Sequence, residues 1–243
     1  MVKKSKSGNG LNRKKSTSSG SQPKSQHKNP PKNRDYVHDS YTDRAMKQGY
    51  QARSVFKLSQ IDEQYRLLRP GMRVLDLGAA PGSWSRYVLQ RIQAGSPESG
   101  AWLCAVDLEE LDSNVRKSPY LTFFQADFTG AELQQQIVPY LERDGLFDVV
   151  LSDMAPRTTG NRTVDTGRSE ALAEEILSVL PRFLQTGGSL LFKLFQGGAE
   201  QQFEQRLQVL FAHSRRLKPQ AVRSRSFEVY FLCRDYRSGR RSG

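Results

Sequence analysis

Four side chains in the 243-residue sequence stand in surroundings that do not suit a charge. Lys57 lies in Ser54-Val55-Phe56-Lys57-Leu58, and Asp153 in Leu151-Ser152-Asp153-Met154-Ala155-Pro156. Lys193 interrupts Ser189-Leu190-Leu191-Phe192-Lys193-Leu194-Phe195, and Glu228 interrupts Ser226-Phe227-Glu228-Val229-Tyr230. Lysines and carboxylates are rarely buried without a partner. Read singly, Lys57 and Glu228 face solvent, and Lys193 is an edge or snorkelling side chain. Read as chemistry, a desolvated Lys193 amine could take a proton from a weak nucleophile such as a hydroxyl, with nearby amines and carboxylates orienting one another.

A second constellation suits a small cationic cofactor. Val74-Leu75-Asp76-Leu77-Gly78-Ala79-Ala80-Pro81-Gly82-Ser83-Trp84 reads as a strand, a glycine-containing turn and a helix start. Such a turn lets backbone approach a ligand and aims helix amides at it. The spacing Gly78-x-x-x-Gly82 departs from the dinucleotide fingerprint, and Pro81 removes an amide that a phosphate cradle would use. A nicotinamide oxidoreductase is therefore disfavoured. Asp76 would repel phosphate but could hold an amino-acid ammonium. Asp107 is placed to accept from ribose hydroxyls, and Asp127 from an adenine amino group. An isolated Asp after a strand is often only a cap or a turn former. Three at the ends of three successive strands favour the cofactor reading.

The elements that must position these groups alternate in type. Mostly apolar runs at Arg73–Leu77, Trp102–Asp107, Leu121–Gln125, Phe147–Ser152, Ser189–Phe195 and Phe227–Cys233 predict strands. Amphipathic stretches at Gln51–Leu68, Trp84–Ile92, Ala131–Leu141, Ser169–Leu184 and Glu200–Phe211 predict helices. Near-continuous apolar strands alternating with helices imply a doubly wound, mostly parallel α/β sheet covered on both faces. The last run alternates around Glu228, Tyr230 and Leu232, which predicts a strand near the sheet edge. In such sheets ligands sit at the carboxyl ends of strands where the winding reverses, so Asp153 should face the reacting group.

Together these segments resemble the FtsJ/RrmJ family of ribose 2′-O-methyltransferases, from about Asp35 to Arg234. The resemblance implies a class I methyltransferase fold, S-adenosyl-L-methionine as cofactor and a Lys57, Asp153, Lys193 and Glu228 catalytic tetrad. It implies cofactor contacts from Asp76, Gly78, Gly82, Trp84, Asp107, Asp127 and Asp153, with no metal. It further implies an RNA substrate, a uridine in the A loop of large-subunit ribosomal RNA within a ribosomal particle. A transfer-RNA or messenger-RNA cap ribose methyltransferase, or a non-catalytic RNA-binding assembly factor on the same fold, are the alternatives.

The chain is long enough for one α/β domain but short for two. Ten of its twelve net positive charges fall in Met1–Arg34, which holds no Asp or Glu, so residues 1–34 are expected to be a disordered basic tail that attracts RNA phosphates. The catalytic domain is expected over residues 35–236, with a basic tail at 237–243. Cys104 and Cys233 sit in strand-like runs, which suits reduced thiols in the cytoplasm, with an organelle as the alternative. No run reaches membrane-spanning length, and a monomer without a membrane partner is expected.

Overall fold

The computed structural model describes residues 36–47, 50, 53–93, 100–222 and 226–238. The basic segment 1–34 and residues 239–243 lie outside them. The helices are α1 (Tyr36–Lys47), α2 (Val55–Tyr65), α3 (Ser83–Ile92), α4 (Ser113–Arg116), α5 (Ala131–Asp144), α6 (Arg162–Phe183) and α7 (Glu200–Leu210). The strands are β1 (Arg73–Leu77), β2 (Trp102–Asp107), β3 (Leu121–Gln125), β4 (Phe147–Ser152), β5 (Leu184–Phe195), β6 (Phe211–Leu217) and β7 (Glu228–Tyr236).

They form one sheet in the order β3-β2-β1-β4-β5-β7-β6. The first five of these strands are parallel, and β7 runs antiparallel to both of its neighbours. This is the doubly wound, mostly parallel sheet that the alternation of apolar runs and helices predicts. The winding reverses between β1 and β4, which pair directly from Val74↔Val149 to Leu77↔Ser152. A crevice therefore opens beyond the carboxyl ends of these two strands.

Alternation along each strand sends side chains to two separate cores. Val74, Leu103, Val149, Leu191, Tyr230 and Leu232 pack with Leu58 and Ile61 of α2 and with Val88 and Ile92 of α3. Leu75, Cys104, Val150, Phe192 and Phe231 pack on the other face with Ile137 of α5, Ile176 of α6 and Leu207 of α7. Both cysteines are free and buried, and burial pushes both thiols up.

The last apolar run lies near the sheet edge, as its alternation predicts, but it is not the edge itself. β7 lies between β5 and β6, and the edge strand is β6, absent from the sequence reading. Phe211–Leu217 is Phe-Ala-His-Ser-Arg-Arg-Leu, of which only Phe211 is buried. An edge strand with one mostly wet face needs no apolar alternation, so periodicity does not reveal it. α1 is likewise an added element, lying at the start of the described chain.

Candidate active site

Four different elements bring the charged residues together. Lys57 lies in the first turns of α2, Asp153 follows β4, Lys193 sits near the end of β5 and Glu228 opens β7. Lys193 pairs across the strands with Tyr230, and Phe195 with Glu228. Because side chains alternate, Lys193 projects to the same face as Leu191, and Glu228 to that of Tyr230 and Leu232. That is the face covered by α2, which supplies Lys57.

The contacts are close. Lys57 Nζ lies 2.7 Å from Glu228 Oε1 and 3.9 Å from Asp153 Oδ1. Lys193 Nζ lies 3.0 Å from Asp153 Oδ1 and donates to the Asp153 carbonyl oxygen at 2.5 Å. None of the four side chains is more than 17% exposed, so two cations and two anions offset one another where each alone would be costly.

Sequence reasoning missed Tyr230. Its hydroxyl donates to Asp153 Oδ1 at 2.6 Å, and Lys57 Nζ stands 5.7 Å from its ring centroid. Burial pushes its phenol well above the ordinary range, and the charges of Asp153 and Glu228 add to this, so it remains a neutral donor. The available signal was its position two residues beyond Glu228, which places both on one face.

Two buried anchors fix α2, and with it Lys57. Trp84 donates its indole N–H to the Ser54 carbonyl at 3.0 Å. Asp62 accepts from the Leu68 amide at 2.7 Å, Arg91 at 2.8 Å and the Tyr87 hydroxyl at 2.9 Å, tying α2 to α3.

Beside the cluster a cavity of about 530 Å³ opens at the switch point. Gly78, Asp107, Asp127 and Asp153, all singled out in the sequence, line it. Asp107 is oriented by two backbone amides, Ala80 N on Oδ2 at 2.8 Å and Glu109 N on Oδ1 at 2.9 Å. Asp127 Oδ1 accepts from the Thr129 amide at 2.9 Å and its hydroxyl at 2.8 Å. Gly78 has φ +74°, and a Cβ there would stand 2.1 Å from Met154 Cγ, so the β1 turn and the loop after β4 meet only because this residue is glycine.

Asp76, Gly82 and Trp84 do not line this cavity. Asp76 is buried behind it and accepts from the Ser85 hydroxyl at 2.6 Å. Burial drives its pKa up to about 7, with the Ser85 hydrogen bond opposing and the charges of Asp153 and Asp107 adding. Gly82 makes the turn into α3 at φ +116°, and Trp84 is the helix anchor described above.

The loop after Asp153 is fastened by α6. Asp165 accepts from the Thr159 amide at 2.7 Å, the Thr159 hydroxyl at 2.9 Å and the Gly160 amide at 3.1 Å. The Thr159 amide leads in holding this carboxyl below the usual range. Arg168, which lines the cavity, donates to the Arg157 carbonyl at 3.2 Å.

Among the described residues no helix is long and apolar enough to cross a membrane, and no group of three or more His, Cys, Asp or Glu could hold a metal ion.

Known proteins resemble this chain in sequence and fold. The chain is 41% identical over 199 residues to the ribosomal RNA large subunit methyltransferase E of Treponema denticola, covering 82% of this chain and 95% of that one. It is 40% identical over 205 residues to the protein of the same name from Desulfatibacillum aliphaticivorans, covering 84% and 94%. A Plasmodium falciparum protein, whose crystal structure is described as a ribosomal RNA methyltransferase, shares the fold at a TM-score of 0.65 and 23% identity, over 77% of this chain and 98% of that one. The profile of the FtsJ-like methyltransferases matches residues 50–236, which include every one of the charged residues above, and the chain belongs to that family.

Proposed function

We propose that this protein transfers a methyl group from S-adenosyl-L-methionine to a ribose 2′-hydroxyl of large-subunit ribosomal RNA, at a uridine of the A loop. The observation that carries the reading is that Asp153 belongs to both halves of the site. Asp153 lines the 530 Å³ cavity and its carboxylate pairs with Lys193 at 3.0 Å, so a ligand in the cavity and a hydroxyl at the amine are neighbours. The names of the relatives support ribosomal RNA as the substrate.

The cavity suits the cofactor in size and donor set, since small-molecule sites run from about 300 to 1,000 Å³. Asp107 and Asp127 offer oriented acceptors for hydroxyl and amino groups, flanked by the apolar Val106, Ala126 and Phe128. When bound, S-adenosyl-L-methionine supplies a sulfonium-activated methyl group, so the protein's task is alignment and removal of the hydroxyl proton. The two Asp153 acceptors engage two of the Lys193 Nζ positions. Once the ammonium has given up a proton, an amine held this way keeps its lone pair for the ribose hydroxyl, which makes Lys193 the general base. Glu228 holds Lys57 at 2.7 Å, and that cation keeps Asp153 in place from the other side.

The test is to incubate full-length protein with methyl-labelled cofactor and large-subunit ribosomal RNA, then map alkali-resistant linkages. The expected result is label on one ribose 2′-oxygen that disappears with Asp153→Ala. Label on a base, or no RNA label from a folded protein that binds the cofactor, would overturn the reading.

A further inference from the structure

The edge strand that the sequence did not reveal builds a second feature. His213↔Arg234 and Arg215↔Leu232 are cross-strand pairs between β6 and β7. With Tyr65 at the end of α2 these four residues enclose a cavity of about 270 Å³. Leu232 is buried and Tyr65 half-buried, so the cavity combines an apolar surface and an aromatic ring with three basic side chains. Its lining contains no carboxylate, although Asp235 Oδ2 approaches His213 Nε2 at 3.7 Å. Arg234 is fixed by donating to the Tyr65 carbonyl. Arg215 is exposed, and among the described residues its side chain makes no hydrogen bond or ion pair.

The cavity is not isolated. Tyr65 also lines a hollow of about 680 Å³ that runs past Lys218 to Gln220. There the adjoining Ala221 is held by Gln60 of α2, at 3.1 Å, and by Arg53. The two hollows meet at Tyr65 and form a trough along the second half of α2, from Gln60 to β6, with Glu63 as the one carboxylate in its lining. Lys57 and Tyr65 are eight residues apart on one helix, or about 12 Å. Glu228 and Arg234 are six residues apart on one strand, or about 20 Å. At about 3.4 Å per nucleotide along a stacked strand, these spans correspond to roughly four to six nucleotides.

We propose that this trough is a second RNA-docking surface. A nucleotide several positions from the methylated one stacks on Tyr65, while Arg215 and Lys218 hold neighbouring phosphates. An aromatic platform flanked by cations is the chemistry of single-stranded RNA binding. The inference rests on the reading of an RNA substrate and adds to it a contact remote from the reacting atoms.

The experiment compares wild type, Arg215→Glu, Arg215→Ala and Arg215→Lys on two probes, transcribed large-subunit ribosomal RNA and a hairpin confined to the A loop. Arg215→Glu should raise the Kd for the long transcript roughly three- to tenfold at moderate salt, and Arg215→Ala should lower the salt slope by about 0.7 to 0.9. Arg215→Lys should restore both, and methylation of saturating hairpin should not change. Unchanged affinity and slope in Arg215→Glu, with wild-type methylation intact, would overturn the trough alone. Wild-type protein that neither binds nor methylates the transcript would overturn both readings. A defect seen on ribosomal particles but not on naked RNA would also overturn the proposal and assign the surface to a protein partner.

Discussion

Tyr230 donates its hydroxyl to Asp153 Oδ1 at 2.6 Å, the same oxygen that faces Lys193 Nζ at 3.0 Å. A hydrogen bond to a charged carboxylate contributes about 1.5 to 3 kcal/mol. Tyr230→Phe keeps the ring beside Lys57 and removes only this donor. Its single-turnover methyl transfer should fall about tenfold, with cofactor affinity unchanged because Tyr230 does not line the cavity. A folded Phe variant turning over within twofold of wild type would reduce Tyr230 to packing.

Asp107 makes a separable prediction. Asp107→Ala removes an acceptor from the cavity wall and releases the Ala80 and Glu109 amides it holds. Cofactor affinity should weaken by about 1 to 3 kcal/mol, with RNA affinity little changed. Asp107→Asn should lose less, since its carbonyl can still accept one of the amides. Titration calorimetry showing wild-type affinity in the Ala variant would remove Asp107 from the cofactor site.

The contrast between Asp107 and Asp76 shows where sequence reasoning reached and where it stopped. Asp107 ends one apolar run of the parallel strands and Asp76 stands one residue before the end of another, and both were expected at the cofactor. Strand positions there were legible because strands buried on both faces must be apolar, and four of the expected runs coincide with β1 to β4. The direction of each side chain was not legible, since it depends on the turn that follows. Asp107 is turned outward by two amides, whereas Asp76 stays behind the sheet end on Ser85. Lys193 and Glu228 were conspicuous as charges in apolar strands. Tyr230 was not, because a buried tyrosine in a strand is ordinary. β6 escaped for the opposite reason, having too little apolar surface to signal a strand.

Buried Asp76 gives the fold a pH dependence of definite sign. Its pKa in the folded protein is about 7, against an ordinary 3.8. Between those values the folded chain holds a proton that the unfolded chain has released, so this contribution to stability falls as pH rises and levels off above about pH 7. Roughly 2 to 3 kcal/mol of the loss should lie between pH 5 and 8. Asp76→Asn cannot titrate and should abolish that part, so its stability relative to wild type should rise over the same interval. Urea unfolding of both proteins at pH 5 and pH 8 measures the difference. Parallel pH profiles would mean that Asp76 is not protonated in the folded state.

Lys193→Arg tests the proton acceptor. Arginine retains a cation that can pair with Asp153, but its guanidinium does not give up a proton in a protein. If Lys193 is the base, single-turnover methyl transfer should collapse by about two to four orders of magnitude while cofactor still binds. The wild-type rate should rise with pH through one ionisation. A purely electrostatic lysine predicts substantial activity in the Arg variant. Geometry could imitate the first result, because the planar group is larger than the ammonium it replaces at a side chain only 7% exposed. The pH profile separates the two causes. A misplaced ribose lowers the rate at every pH, whereas loss of the base also removes the ionisation from the residual activity. Near-normal turnover in a folded Arg variant that binds RNA normally would leave Lys193 with positioning alone.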